Sequence, residues 1–286
     1  MNRRSVLKKI GGTATVLTVA TQPALGGEPA VAQMKELDTS DHSNLDGVTV
    51  TLFENGHAKV EMSGTRPADP SEATGYSVRL GELGQNPGAR ALDRANARVE
   101  SLPADEVLAQ DGVSTETTTG KTGSGSDTAS SSDIGTMDHG GNDGEDNYEG
   151  GLWVRSEDSA DFTLAITEGW IDWTTSGGEA DYVDWLWHAT ACAPGLADWN
   201  IDDAGHSYTD WSGDDVEVKF YGDYYDYASG DDSKRTDSYH RLYAYGNPDG
   251  SMDWDTTHWY TGEDASGYRF DAGYFSGYDQ HAAGHC

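Results

Sequence analysis

The chain has 286 residues, of which 50 are acidic and 18 basic, for a formal net charge of −32. Beyond the amino terminus no Lys/Arg cluster is larger than Lys234-Arg235, which excludes a nucleic-acid surface, since such surfaces neutralise phosphates with grouped cations. Self-repulsion of this size is tolerable in brine, where the Debye length falls to about 3 Å at 1 M salt.

The first nine residues hold four of the cations: Arg3, Arg4, Lys8 and Lys9. An uncharged apolar run from Ile10 to Leu25 follows, then the small triplet Ala30-Val31-Ala32. Charge, apolar run and small-residue cleavage site, in that order, make a secretory signal. The run is interrupted by Gly11, Gly12 and Pro23 and is shorter than the ~20 residues that span a bilayer. Residues 1–32 are therefore expected to be removed, leaving no membrane span. Arg3 and Arg4, with Leu7 and Lys8 after them, resemble the twin-arginine export signal, with Asn2 and Val6 standing where that pattern has Ser/Thr and Phe. The resemblance implies passage through the twin-arginine export machinery and a secreted, extracellular protein. Asp outnumbers Glu 34 to 16, and five lysines lie beyond residue 32. That composition resembles the secreted proteins of halophilic archaea.

Residues 33–110 are expected to form a small α+β region or a pro-region. "VTVTLFENGHAKVEM" reads as two alternating strands, Val48 to Phe53 and His57 to Met62, turning at Asn55-Gly56, where both central positions favour positive φ. "ARALDRANARV" places Ala91, Leu92, Ala95 and Val99 at helical spacing. So few large apolar residues make independent stability doubtful. Residues 111–147 are rich in Ser, Thr, Gly and Asp and are expected to be a disordered linker.

Of the 29 aromatic residues, 27 fall from Tyr148 onward, so 148–286 is expected to be the folded domain. "VEVKFYGDYYDY" puts Val216, Val218 and Phe220 on one face and Glu217, Lys219 and Tyr221 on the other. "SYHRLYAYG" opposes His240, Leu242 and Ala244 to Tyr239, Arg241, Tyr243 and Tyr245. With "SMDWDTTHWY" after the turn Asn247 to Gly250, these make a meander. "YVDWLWHATAC" and "DFTLAITEGWIDWTT" also alternate. At least six strands predict an antiparallel β-sandwich or barrel, mainly β overall.

Several constellations carry chemistry. Cys192 and Cys286 are the only cysteines, and export predicts a disulfide between them. His281 and His285 precede Cys286 at a spacing that suits zinc, while Asp249 and Asp253, with Asn247 and Asp255, offer oxygen ligands to calcium; turn and tail account for both groups without a metal. No cofactor is required. His240 reads as a hydrogen-bonded core histidine, and "GHSYT" at Gly205 to Thr209 lacks the second glycine of a nucleophile elbow. Glu168 and Asp172 share a face, yet four residues of strand span about 13 Å, too far for a glycosidase pair. No catalytic residue is assigned. Tyr221, Tyr225, Tyr239, Tyr243 and Tyr245 lie on the polar sides of neighbouring strands, and an open stripe of this kind marks a binding surface. The expected function is thus a secreted, non-enzymatic module that binds envelope glycan or protein. The alternatives are a processed antimicrobial protein, since the arrangement of signal, short region, linker and Cys-containing end is similar to halocin precursors, and a metal-assisted hydrolase using the histidines.

Overall fold

Asn55-Gly56 turns the chain as expected, with one difference. The strands β2 (Leu45–Phe53) and β3 (Ala58–Arg66) are joined by a loop in which Phe53 N–H bonds to His57 O at 2.9 Å and Gly56 N–H to Phe53 O at 3.1 Å. Only Gly56 has positive φ, 87°. The loop is therefore longer than a two-residue turn, and the left-handed residue is the glycine alone.

The computed structural model describes residues 29–70, 74–81, 83, 91–102, 114–122, 146–176, 179–192, 198–211, 216–227, 235–262 and 267–275. Among these are two antiparallel sheets of seven strands each. The first runs β1 (Val31–Leu37), β2, β3, β13 (Met252–Tyr260), β12 (Arg235–Gly246), β11 (Val216–Tyr227), β10 (Asn200–Trp211). The second runs β5 (Arg98–Leu102), β4 (Thr74–Arg79), β14 (Arg269–Phe275), β7 (Asp146–Glu157), β8 (Thr163–Ser176), β9 (Glu179–Cys192), β6 (Ser114–Thr122). Together they form a β-sandwich. No described helix is long and apolar enough to cross a membrane.

Residues 33–110 do not build a sheet of their own. β3 pairs with β13 from Arg66↔Met252 to Ala58↔Tyr260, and β4 pairs with β14 from Arg79↔Arg269 to Thr74↔Tyr274. Val48, Val50, Val60 and Met62 enter one apolar core with Leu242, Trp254, Leu152 and Val154. The shortage of apolar side chains in this region is thereby resolved, because its strands bury their inner faces against the aromatic-rich half. Within 111–147, β6 pairs with β9, and the remainder up to residue 145 lies outside the described residues.

One other expectation is corrected. The helix α1 is one turn, Ala91–Arg94, and Val99 belongs to β5. Asn96 adopts φ 50° and Ala97 N–H bonds to Leu92 O at 3.3 Å, a left-handed stop that ends the helix. The alternation of β8 does not translate into one buried and one open face: Ala165, Thr167 and Trp173 are buried towards the first sheet, and Ile166, Glu168 and Trp170 are buried on the other side. The expected cleavage after Ala32 falls inside β1, whose Val31 pairs with Phe53, while residues 1–28, Arg3 and Arg4 included, lie outside the described residues.

Candidate binding face

The meander β11, β12, β13 alternates strictly, and this decides what faces solvent. Val216, Val218, Phe220, His240, Leu242, Trp254 and His258 point towards the second sheet and are buried. The intervening side chains, including all five tyrosines of the expected stripe, Tyr221, Tyr225, Tyr239, Tyr243 and Tyr245, are partly exposed on the opposite side. Among the described residues no second layer covers the tyrosine face.

Register converts the stripe into rows that run across strands. Tyr221 lies beside Arg241, Thr257 and Glu61, whereas Asp223 lies beside Tyr239, Trp259 and Lys59. Lys219 neighbours Tyr243 and Asp255, and Glu217 neighbours Tyr245 and Asp253. Cations are held between the rings. The Arg241 guanidinium lies 5.4 Å from the Tyr221 centroid and 5.9 Å from that of Tyr239, and donates to both carboxylate oxygens of Asp223. Arg235 lies 4.4 Å over Tyr225 and pairs with Asp237 at 2.5 Å and Asp202 at 2.6 Å. Lys219 sits 5.4 Å from the Tyr243 centroid and 3.3 Å from Glu217. Such stacking is worth about 0.5–1 kcal/mol per exposed pair, and the ion pairs fix its geometry. Loss of water and neighbouring Asp carboxylates raise the phenol pKa of Tyr221 and Tyr239 above the ordinary range, so both remain hydrogen-bond donors.

Two residues of the face escaped the sequence reading. Trp259 lies 6.2 Å from Tyr239 between ring centroids and stacks on Phe53 at 6.0 Å and 22°. The period-two pattern of Asp253, Asp255, Thr257 and Trp259 carried the signal for the first. The second needed the β2–β3–β13 order. Rings that expose flat apolar faces, flanked by fixed guanidinium donors and carboxylate acceptors, can hold a ligand presenting both C–H surfaces and hydroxyl or amide groups.

The histidines converge elsewhere, inside the sandwich. His240 and His258 are register partners, their ring centroids 4.1 Å apart. Both direct Nε2 at the Ser156 hydroxyl, at 2.7 and 2.8 Å, and Ser238 Oγ is 2.9 Å from the same oxygen. His240 Nδ1 meets Thr167 Oγ1 at 3.0 Å, Thr167 meets the Tyr224 hydroxyl at 2.7 Å, and Tyr224 donates to Ile166 O. Each hydroxyl has one proton, so the order is determined. Tyr224 spends its proton on Ile166 and accepts from Thr167; Thr167 then accepts from His240 Nδ1–H. His240 Nε2 accepts the Ser156 proton, and His258 donates Nε2–H to Ser156. Burial pushes both imidazoles well below their usual pKa, His258 to about 3. A Ser–His contact of this length is one component of a nucleophilic pair, but Ser156, His240 and His258 are all buried and engaged with one another.

The remaining candidates are placed as follows. Asp249 accepts from Ser251 N–H at 3.0 Å and from its hydroxyl at 2.5 Å, closing the Asn247–Gly250 turn, and this lowers its pKa. Asp253 accepts from Thr65 at 2.8 Å on the open face, so the two are committed to different contacts. His281, His285 and Cys286 lie outside the described residues. Among the described residues no three His, Cys, Asp or Glu side chains are grouped to hold a metal ion. Cys192 is buried and is not a free thiol. Glu168 and Asp172 sit on one continuous strand, in register with His188 and Asp184, so the separation argued from their spacing stands. Ser207 is an exposed residue of β10, opposite Lys219. On the outer side of the second sheet, Arg155 bonds Asp271 at 2.8 Å and Glu157 at 2.9 Å, and Arg269 bonds Asp271 at 3.0 Å. Burial and the Asp271 charge raise Glu157 to about 7 against the pull of the two arginines. No family model, curated protein or solved structure matches this chain.

Proposed function

We propose that this is an exported, salt-adapted, non-enzymatic binding module whose solvent-facing sheet recognises a glycan or protein of the cell envelope or its surroundings. The observation that carries the reading is the open face itself: five tyrosines and Trp259 on neighbouring strands, with Arg241, Arg235 and Lys219 fixed among them. The signal-like start and the acidic composition support export into brine. A bridge between Cys192 and Cys286 would tie the carboxy-terminal end to β9 and suits an oxidising exterior.

The halocin-like reading requires a fragment released by cleavage within 111–147. The pairing of β3 with β13 and of β4 with β14 favours the binding reading instead, because the two halves share both sheets. The hydrolase reading draws no support from His240 and His258, whose sealed positions suit a structural role.

Alanine replacement of Tyr221, Tyr243 and Tyr245 together is expected to abolish retention on envelope preparations while leaving the circular dichroism spectrum unchanged. Retention equal to that of the unsubstituted protein would reject the face.

A further inference from the structure

We infer that the ligand of this face is a linear, neutral glycan laid across the strands, on a track formed by Tyr221, Tyr239 and Trp259. The inference rests on the binding reading above and names its partner.

Continuity of the aromatic floor is the first support. Arg241 bridges Tyr221 and Tyr239, Tyr239 meets Trp259, and Trp259 stacks on Phe53. From Tyr221 on β11 to Trp259 on β13 this crosses two strand-to-strand steps, with the buried Phe53 ring bracing Trp259. At about 4.8 Å per step the track is about 10 Å long, enough for two sugars rather than one. Tyr245, at the other end of β12, lies between Glu217 and Asp253 and off this track.

Side-chain type is the second. The solvent side of the meander, Glu217 to Tyr225, Tyr239 to Tyr245 and Asp253 to Trp259, consists of aromatic, charged and Thr residues, with no aliphatic side chain. A sugar ring offers a C–H face to tyrosine or tryptophan and hydroxyls to the flanking carboxylates and guanidinium. The cores of protein–protein interfaces are depleted of Lys, Glu and Asp, which on this face stand between the rings.

Charge is the third. Lys59, Lys219, Arg235 and Arg241 each already pair with a carboxylate, and Asp253 and Asp255 add further negative charge. A polyanionic chain would meet repulsion on this face, so the complementary polymer is uncharged.

The test titrates the full chain with gluco-, manno- and xylo-configured neutral hexasaccharides and with polygalacturonate, following tryptophan fluorescence in the lowest NaCl concentration that keeps the chain folded. One neutral hexasaccharide is expected to saturate. Trp259→Ala and Tyr239→Ala should each weaken it about tenfold or more, Tyr245→Ala by less than about threefold, and polygalacturonate should not compete. Two substitutions on the track keep the test decisive if one variant fails to fold. Unchanged binding by both track variants, saturation by none of the hexasaccharides, or tighter binding of polygalacturonate overturns the inference. If the triple tyrosine variant loses envelope retention while no hexasaccharide binds, the glycan assignment alone falls. If that variant is retained as before, the binding reading falls with it.

Discussion

Arg241 lies between Tyr221 on the neighbouring strand and Tyr239 on its own, 5.4 and 5.9 Å from their ring centroids, with Asp223 holding the guanidinium in place. One cation thus sets the positions of two rings. Arg241→Lys keeps the charge but loses the planar fork, so the rings lose their common support. Because the pair is partly exposed, stability should change by about 1 kcal/mol or less, whereas affinity for the proposed ligand should fall about threefold or more. Thermal unfolding and a binding titration on the same sample separate the two effects.

The proton order through Ser156 makes a prediction about tautomers. His240 carries its proton on Nδ1 and His258 on Nε2, which nitrogen chemical shifts at neutral pH will report. Ser156→Ala removes the shared partner of both imidazoles and of Ser238. Leaving buried polar groups unpaired costs about 1–3 kcal/mol each, so a loss of several kcal/mol is expected in denaturant unfolding.

Acid sensitivity follows from the same pair. His240 and His258 are neutral in the folded state and take up protons near pH 6.5 only when unfolded. Their folded pKa values lie below the unfolded one, so the stability they contribute is complete above pH 6.5 and is lost as pH falls, by up to about 1.4 kcal/mol per pH unit for each ring. Glu157 works in the opposite sense: its folded pKa is about 7 against 4.5, so its contribution is complete below pH 4.5 and is lost as pH rises towards 7. Glu157→Gln should therefore steepen the rise in stability between pH 5 and 6.5. Urea unfolding at several pH values in constant salt measures it.

A chain that starts at residue 148 would keep every strand from β8 to β14 and still be incomplete. It lacks β3 and β4, which exposes the hydrogen-bonding edges of β13 and β14 and the inner faces of Val60, Met62 and Val78 would no longer cover the core. Unpaired strand edges over an open apolar core aggregate. The expected outcome is insoluble protein, recovered by coexpression of residues 29–122. A soluble, monomeric fragment with a native β spectrum would contradict the shared-sheet architecture.

How much of this was readable beforehand depended on solvent. β11 and β12 have one wet face, so hydrophobic and polar residues alternate and both faces of each strand were legible, tyrosines included. β7 and β8 are buried on both sides, and there Trp153, Arg155 and Glu168 on the outer side leave no contrast to read. The Asn247–Gly250 turn sets the register that pairs the histidines: six residues outward from Gly246↔Met252 lies His240↔His258. Ser156 comes from the other sheet, and no local pattern connects it to them. The same holds for β3 and β13, because an alternating strand states which face is apolar and not which strand it will join.

That last pairing governs the order of events in folding. Arg66 must find Met252 and Arg79 must find Arg269, so neither sheet gains its middle until almost the whole polypeptide has been synthesised. Loop-closure entropy is spent before these distant contacts return anything, which places the chain among slow folders of high contact order, in the millisecond-to-second range or beyond. Completion of both sheets in consequence waits on strands from the last third of the chain.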